Sequence, residues 1–314
     1  MNPRPVPCVR RGMLTFSLGK HLIHALAFSP DGARLAVACG YRVAALDWQA
    51  PGEPVWHEPF QLSGPPESLG FRPDGPGVLV GYQNIRSYRG NPVYELDPLA
   101  GGIVERLPLT NSPRVSWATH MPVVVAWSDP PAVIALGYLA FPNPWHALVV
   151  PVVGGPPVAR LGWPPARNPY RETPFHKHPR AAWVVGRNRL LVWSGGFLRW
   201  FRWPPPPPAP PPSRWQAFAS AVTGVRPLPP DLEMLAEHPF PFSDDAVAPL
   251  PDGDTLLVAH KDDLVRWHAP TGTELARLRW PGMQALRSLA VRPDGTVAAV
   301  GGNGGRVIVW DLDV

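Results

Sequence analysis

The feature that most constrains the fold of this chain is one short turn that occurs four times, each time between two apolar runs. The turn has the sequence Pro-Asp-Gly, and its four copies begin at Pro30, Pro73, Pro251 and Pro293. Proline presets φ at the second position of a tight turn, aspartate hydrogen-bonds the backbone two residues further on, and glycine accepts a positive φ. Each copy therefore predicts a β-hairpin whose strands are the two flanking runs.

The four turns are spaced as the units of a repeat. Asp31 and Asp74 are 43 residues apart, and Asp252 and Asp294 are 42 residues apart. A repeat of about 40–45 residues that contains four short strands is typical of the blades of a β-propeller. The sequence therefore predicts an all-β protein that consists of a single β-propeller with four-stranded antiparallel blades.

Further strands extend the repeat through the middle of the chain, where the Pro-Asp-Gly turn is absent and the hairpin turns are placed at His120 and Arg187. Third strands are predicted at residues 42–48, 92–97, 147–153, 197–203, 264–268 and 306–311. Fourth strands are predicted within residues 100–109, 153–164 and 271–281, which share a glycine-containing turn followed by a β-run. First strands are predicted to begin near Ala25, Ser68, Val115, Ala181, Ala246 and Ser288.

The number of blades depends on two long intervals between first strands. Val115 to Ala181 spans 66 residues and Ala181 to Ala246 spans 65, so each interval exceeds the 43-residue unit by about half a blade. Insertions account for such an excess better than one hidden repeat does. Six recognisable repeats are predicted, and seven blades are the alternative.

The two ends of the chain complement each other. The last repeat stops at Val314 directly after its third strand, whereas residues 13–18 form a β-run that belongs to no repeat. If this run is the outer strand of the last blade, it closes the ring and removes a bare sheet edge. We therefore predict an N-terminal tail at residues 1–12 and a propeller at residues 13–314, closed by the N-terminal strand.

Composition and charge exclude several classes of function. The net charge is +5, but the basic residues are scattered rather than clustered, so nucleic acid is not an expected partner. Residues 132–153 are the most apolar stretch and are interrupted by polar residues and prolines, so no membrane span is expected. No secretory signal is visible, which predicts a cytoplasmic protein. Two cysteines, Cys8 and Cys39, are too few for a disulfide framework, and Cys39 is assigned to the core.

Motifs for catalysis or metal binding are not found. The chain has no phosphate-binding loop, no nucleophile elbow and no zinc-protease motif. His176 and His178 have no third ligand nearby in the sequence, and the pairs Asp244-Asp245 and Asp262-Asp263 are interpreted as turn caps beside strands. No catalytic residue, metal site or cofactor is predicted.

A proline run at Pro204–Pro212 interrupts the fourth repeat. Nine residues of polyproline II extend about 28 Å. Such a segment is either a ligand for an aromatic-lined groove of an adaptor domain or a stiff insertion, and the composition of the chain favours the insertion.

The chain resembles the WD-repeat family. Trp310-Asp311 is the dipeptide for which the family is named, and Asp47-Trp48 is a reversed copy at the end of another third strand. The likeness runs from about residue 13 to residue 314, is strongest at both ends, and is that of a divergent, bacterial-type member.

This resemblance implies a non-enzymatic scaffold for protein–protein interactions whose partner is unidentified. In the family, the upper face carries the loops that join second to third strands and fourth to next first strands. By position, the resemblance assigns the partner-binding face to Tyr41, Arg42, Tyr82, Asn84, Arg86, Lys261, Asn303 and Arg306. The alternative is a propeller enzyme or small-ligand binder that uses the central channel.

Overall fold

Short antiparallel strands make up nearly all the regular structure in the computed structural model of this protein. The structure describes residues 14–50, 54–57, 65–72, 76–82, 93–97, 102–107, 118–123, 132–138, 146–151, 159–161, 180–184, 189–194, 196–203, 231–242, 245–279 and 286–312. Within these residues the chain is all-β, apart from one 3-10 turn at Asn303–Gly305.

The strands follow one another with short connections wherever the repeat is regular. In chain order they are β1 (Leu14–Ser17), β2 (Ile23–Phe28), β3 (Arg34–Cys39), β4 (Arg42–Asp47), β5 (Pro66–Phe71), β6 (Val78–Tyr82), β7 (Val93–Leu96), β8 (Ile103–Leu107), β9 (Ala118–Val123), β10 (Ala132–Tyr138), β11 (His146–Pro151), β12 (Ala159–Leu161), β13 (Arg180–Val184), β14 (Arg189–Ser194), β15 (Phe197–Arg202), β16 (Met234–Pro239), β17 (Ala246–Pro249), β18 (Thr255–His260), β19 (Asp263–His268), β20 (Thr273–Arg279), β21 (Ser288–Val291), β22 (Val297–Gly301) and β23 (Arg306–Asp311).

The described strands form six antiparallel sheets in which neighbours in sequence are neighbours in space. Sheet 1 contains β2–β4, sheet 2 contains β5–β8, sheet 3 contains β9–β12, sheet 4 contains β13–β16, and sheet 5 contains β17–β20. Sheet 6 contains β21–β23 together with β1. All six predicted third strands are confirmed within one or two residues at each end.

The Pro-Asp-Gly turns have one common geometry. In the three copies that the structure describes, the glycine amide donates to the carbonyl three residues earlier at 2.8–2.9 Å, and the glycine φ lies between +70° and +77°. The aspartate carboxylate accepts the amide two residues further on at 3.0 Å in each copy. These turns are the predicted hairpins. The copy at Pro73 lies outside the described residues.

One detail of the predicted repeat needs correction. His120 was placed at a hairpin turn but lies inside β9, because the apolar run after it continues the strand and Val123 pairs with Ile134 of β10. Sheet 1 has three strands in its described part. Outside these strands, His57 exchanges two backbone hydrogen bonds with Val43 of β4 at 2.9 and 3.0 Å. The turn assigned to Arg187 lies outside the described residues.

The N-terminal strand is the outer strand of the last sheet, as predicted. β1 pairs with β23 in antiparallel register from Leu14 opposite Val309 to Ser17 opposite Arg306. Contacts between neighbouring sheets run from sheet 4 through sheets 5, 6, 1 and 2 to sheet 3. The blade number, the closure of the complete ring and the domain boundaries stay predictions, and residues 1–13 lie outside the described part of the chain.

The described hydrophobic core lies between the faces of adjacent sheets. In β3, Leu35 and Val37 face a cluster shared with sheet 6, whereas Ala36 and Ala38 face a cluster shared with sheet 2. Strand β22 divides its residues between sheets 5 and 1 in the same way. Because successive side chains of a strand point to opposite faces, a strand between two sheets must be apolar at every position. This explains the uninterrupted apolar runs that follow each Pro-Asp-Gly turn.

Candidate functional site

The two ends of the sheets differ in character. We call the end that carries the Pro-Asp-Gly turns the lower face. There, the turns of adjacent sheets touch: Gly32 lies against the Arg292 side chain, and Gly295 lies against the Pro251 ring. We call the opposite end the upper face and define it by the turns β3–β4, β18–β19 and β22–β23. In an antiparallel hairpin these turns stand one strand length away from the lower face.

Backbone hydrogen bonds join the three upper-face turns into one structure. The segments that enter β2 and β21 each bond to a turn of the preceding sheet, and further bonds tie the same segments to their own sheets. The bonds are Leu286 N–H to Lys261 O (2.8 Å), Arg287 N–H to Gly301 O (2.9 Å), Ile23 N–H to Gly302 O (3.2 Å) and Gly40 N–H to Leu22 O (3.1 Å). This ladder runs across sheets 5, 6 and 1 and fixes their turns relative to one another.

The connection from β1 to β2 adds a second layer over the turn of sheet 6. The Leu18 amide donates to the Gly305 carbonyl at 2.8 Å. Gly305 has φ +66°, and a methyl group on it would overlap the carbonyl oxygen of Gly19. Glycine is therefore required at position 305 both for its φ and for the close approach of a second backbone.

Five of the residues assigned to the partner-binding face are brought together on this platform. Tyr41 stands in the β3–β4 turn with 60% of its surface exposed, and Arg42 beside it begins β4. Lys261 lies in the β18–β19 turn, while Asn303 and Arg306 lie at the β22–β23 turn; all three are exposed. The upper-face positions deduced from the repeat thus lie on three adjacent turns, while their role in binding stays a prediction.

The other three assigned residues belong to sheet 2. The backbone of Tyr82 ends β6 opposite Pro66. Asn84 and Arg86 lie outside the described residues, as do His176, His178 and the proline run.

Lys261 has an unusual backbone for its residue type. Its φ is +54°, and among the described residues it is the one non-glycine residue with a positive φ. Gly40, at the start of the β3–β4 turn, has φ +60°, which glycine adopts without conflict because it has no side chain. The left-handed conformation costs an L-residue about 1–2 kcal/mol, so the turn of sheet 5 carries strain that the turn of sheet 1 avoids.

A second set of candidate residues was missed in the sequence. Each Pro-Asp-Gly turn is preceded, six residues before its proline, by an ionisable residue at the upper end of the first strand. These residues are His24, Glu67, Asp245 and Arg287. The offset is the same in all four repeats, so the sequence contained the signal.

Two of these residues, His24 and Glu67, lie at β-bulges within their strands. The register of β2 against β3 shifts between Ile23 and Ala25, which makes His24 the extra residue. The register of β5 against β6 shifts in the same place around Glu67. A bulge takes one side chain out of the strand's alternation and re-aims it, here at the upper end of the innermost strands.

The electrostatics of these residues extend across three sheets. Burial lowers the pKa of His24, Glu67 on the next sheet acts to raise it, and Arg287 on the preceding sheet acts to lower it. In sheet 5, the Asp245 carboxylate is 2.7 Å from Nδ1 of His260. The upper ends of the first strands therefore present mixed charges rather than one repeated chemistry.

The carboxylates considered in the sequence analysis form ion pairs, and the cysteine is buried. Asp263 pairs with Arg277 at 2.8 Å, and Asp245 is occupied by His260. Cys39 is a buried free thiol whose pKa is raised by burial. Across the described ranges, no three His, Cys, Asp or Glu side chains are grouped so that they could hold a metal ion.

The family model described as "WD domain, G-beta repeat" matches residues 275–311. This stretch runs from the outer strand of sheet 5 into the third strand of sheet 6, which is how a sequence repeat is offset from a blade. No curated protein matches the sequence.

Structural comparison extends the likeness to the whole chain. A chain of a structure titled "Crystal Structure of Mitotic Checkpoint Complex" aligns with a TM-score of 0.56 at 12% identity, covering 99% of this chain and 94% of that chain. The fold is therefore that of a β-propeller. The two findings are thus a WD-repeat sequence match at residues 275–311 and a likeness of fold that covers 99% of this chain. The bacterial type stays a prediction.

In the part of the chain that the structure describes, no helix is long and apolar enough to cross a membrane.

Proposed function

We propose that this protein is a non-enzymatic scaffold that binds a protein partner through the upper face of its propeller. The observation that carries the proposal is the hydrogen-bonded ladder across sheets 5, 6 and 1. It holds three turns in fixed positions while their side chains remain exposed. A rigid platform with exposed side chains loses little conformational entropy when a partner binds.

The side chains on the platform suit protein recognition. Tyrosine and arginine dominate the residues that contribute most to protein interfaces, and Tyr41, Arg42 and Arg306 are of these types. WD-repeat propellers are in general interaction scaffolds, which agrees with this assignment.

The rival function, an enzyme or small-ligand binder in the central channel, has less support. A channel metal or catalytic centre would draw similar ligands from several repeats, whereas the equivalent first-strand positions hold His24, Glu67, Asp245 and Arg287. These four residues differ in charge and chemistry from one sheet to the next. We also propose, from the sequence, that the protein is cytoplasmic and that its partner is not a nucleic acid.

Affinity capture from the native lysate tests the proposal. The test variant is Arg42→Glu/Arg306→Glu, which reverses two upper-face charges. The matched control is Arg202→Glu, since Arg202 is an exposed arginine at the lower end of β15. It lies opposite Arg189, which pairs with Asp254, the residue that follows the turn at Pro251. A third variant deletes residues 204–212.

The scaffold proposal expects a specific partner that is lost with the upper-face variant and kept by the control. Loss of the partner only on deletion of residues 204–212 would move the interaction to the proline run. Equal capture by all variants would contradict the assignment of the upper face.

A further inference from the structure

The exposed charges of the upper face are strongly biased to one sign across sheets 5, 6 and 1. Five cationic side chains are exposed there, on the three turns and on the two segments that the ladder joins to them. We call this set the basic arc, and it consists of Lys20, Arg42, Lys261, Arg287 and Arg306.

The acidic residues near the arc are largely engaged within the protein. Asp263 accepts a hydrogen bond from Arg277, which also binds Glu274 on the outer strand. Asp245 is bound to His260. Asp262 is the exposed carboxylate beside Lys261 in the same turn. On the described upper-face turns and the two segments that enter β2 and β21, five cations and one carboxylate, Asp262, are therefore exposed.

We propose that the basic arc binds a carboxylate-rich, extended peptide segment of the partner. The inference rests on the proposed function and adds the chemistry of the partner to it. Clusters of arginine recognise acidic motifs through charge-assisted hydrogen bonds, and opposite potentials steer the encounter and fix the register. Tyr41, which is 60% exposed beside Arg42, supplies an apolar ring at one end of the arc.

The size of the arc fits a short segment. Sheets packed face to face lie about 10 Å apart, so three of them extend about 20 Å from the turn of sheet 5 to the turn of sheet 1. An extended peptide rises about 3.3 Å per residue, so about six to eight residues cover the arc.

Fluorescence anisotropy with synthetic peptides tests the inference on the full chain. The probe is a fluorescein-labelled octapeptide of alternating aspartate and serine, and its counterpart has asparagine in place of aspartate. A labelled single-stranded RNA octamer tests whether the basic arc binds any polyanion. Each probe is titrated with wild type, with Arg42→Glu/Arg306→Glu and with Arg202→Glu, at two salt concentrations.

The expected result is binding of the aspartate peptide alone, weakened by added salt and about tenfold by the double reversal but not by the control. Equal binding of the asparagine peptide, tighter binding of RNA, or equal weakening by the control would each overturn the inference. If lysate capture locates a partner on the upper face and the aspartate peptide does not bind, the acidic-segment inference fails while the scaffold function stands.

Discussion

The turn between β22 and β23 permits a matched test of how the N-terminal segment is held. Gly304 and Gly305 are neighbours with similar backbone angles, φ +74° and +66°. A methyl group on Gly304 meets nothing within 4 Å, whereas one on Gly305 overlaps the Gly19 carbonyl oxygen and lies 2.8 Å from its carbon. Alanine at the two positions therefore differs in one respect, the collision with the segment between β1 and β2.

The expected cost follows from that difference. Alanine in the left-handed region costs about 1–2 kcal/mol at either position. At position 305 the collision is with backbone rather than with a flexible side chain, and relieving it strains the bond from the Leu18 amide to the Gly305 carbonyl. Forcing an extra methyl group into a packed site costs about 1–3 kcal/mol more. The free energy of unfolding should therefore fall by about 2–5 kcal/mol in Gly305→Ala and by about 1–2 kcal/mol in Gly304→Ala.

Urea unfolding followed by tryptophan fluorescence measures both changes, since the denaturation midpoint falls with stability when the slope is unchanged. Amide hydrogen exchange adds a local readout: the β1 amides should exchange faster in Gly305→Ala and not in Gly304→Ala. Equal destabilisation by the two substitutions would refute the close packing of the N-terminal segment on this turn.

Three further changes test other parts of the structure. Deletion of residues 1–18 removes β1 from β23 and should lower the free energy of unfolding by about 2–3 kcal/mol, while deletion of residues 1–12 should not. Thermal unfolding midpoints of the two deletion variants that differ by less than about 1 °C would contradict the pairing. Lys261→Gly relieves the positive φ and should stabilise by about 0.5–1 kcal/mol in urea, whereas Lys261→Gln should not. Burial lowers the pKa of His24, so the folded state binds the proton less readily than the unfolded state. Stability should be full above the ordinary value near 6.5 and decline as the pH falls toward the lowered pKa, and His24→Gln should flatten that decline.

The regular part of the fold could be predicted because local signals and the global repeat agree. Pro-Asp-Gly fixes both the position and the geometry of a hairpin, and the structure shows the same turn at Pro30, Pro251 and Pro293. The pairing of β1 with β23 followed from a surplus strand at one end and a missing strand at the other.

The hairpin predicted at His120 was wrong because local signals are weak there. His120 lies inside β9 because pairing with β10 decides where that strand ends, and nothing in the run around His120 marks a turn.

The candidate site could be predicted only in part. Tyr41, Arg42, Lys261, Asn303 and Arg306 could be placed on one face because turn positions follow from strand order. His24 and Glu67 could have been found from their constant offset to the Pro-Asp-Gly turn, but the bulge that re-aims them is a property of the register between two strands, which the apolar pattern of one strand does not reveal.

The proposed function is tested most directly by hydrogen exchange on the complex with a captured partner. The scaffold account predicts slower amide exchange in the turns β3–β4, β18–β19 and β22–β23, and unchanged exchange in the Pro-Asp-Gly turns at Pro30, Pro251 and Pro293. Protection of the Pro-Asp-Gly turns without protection of the upper-face turns would contradict the account and place the partner on the lower face.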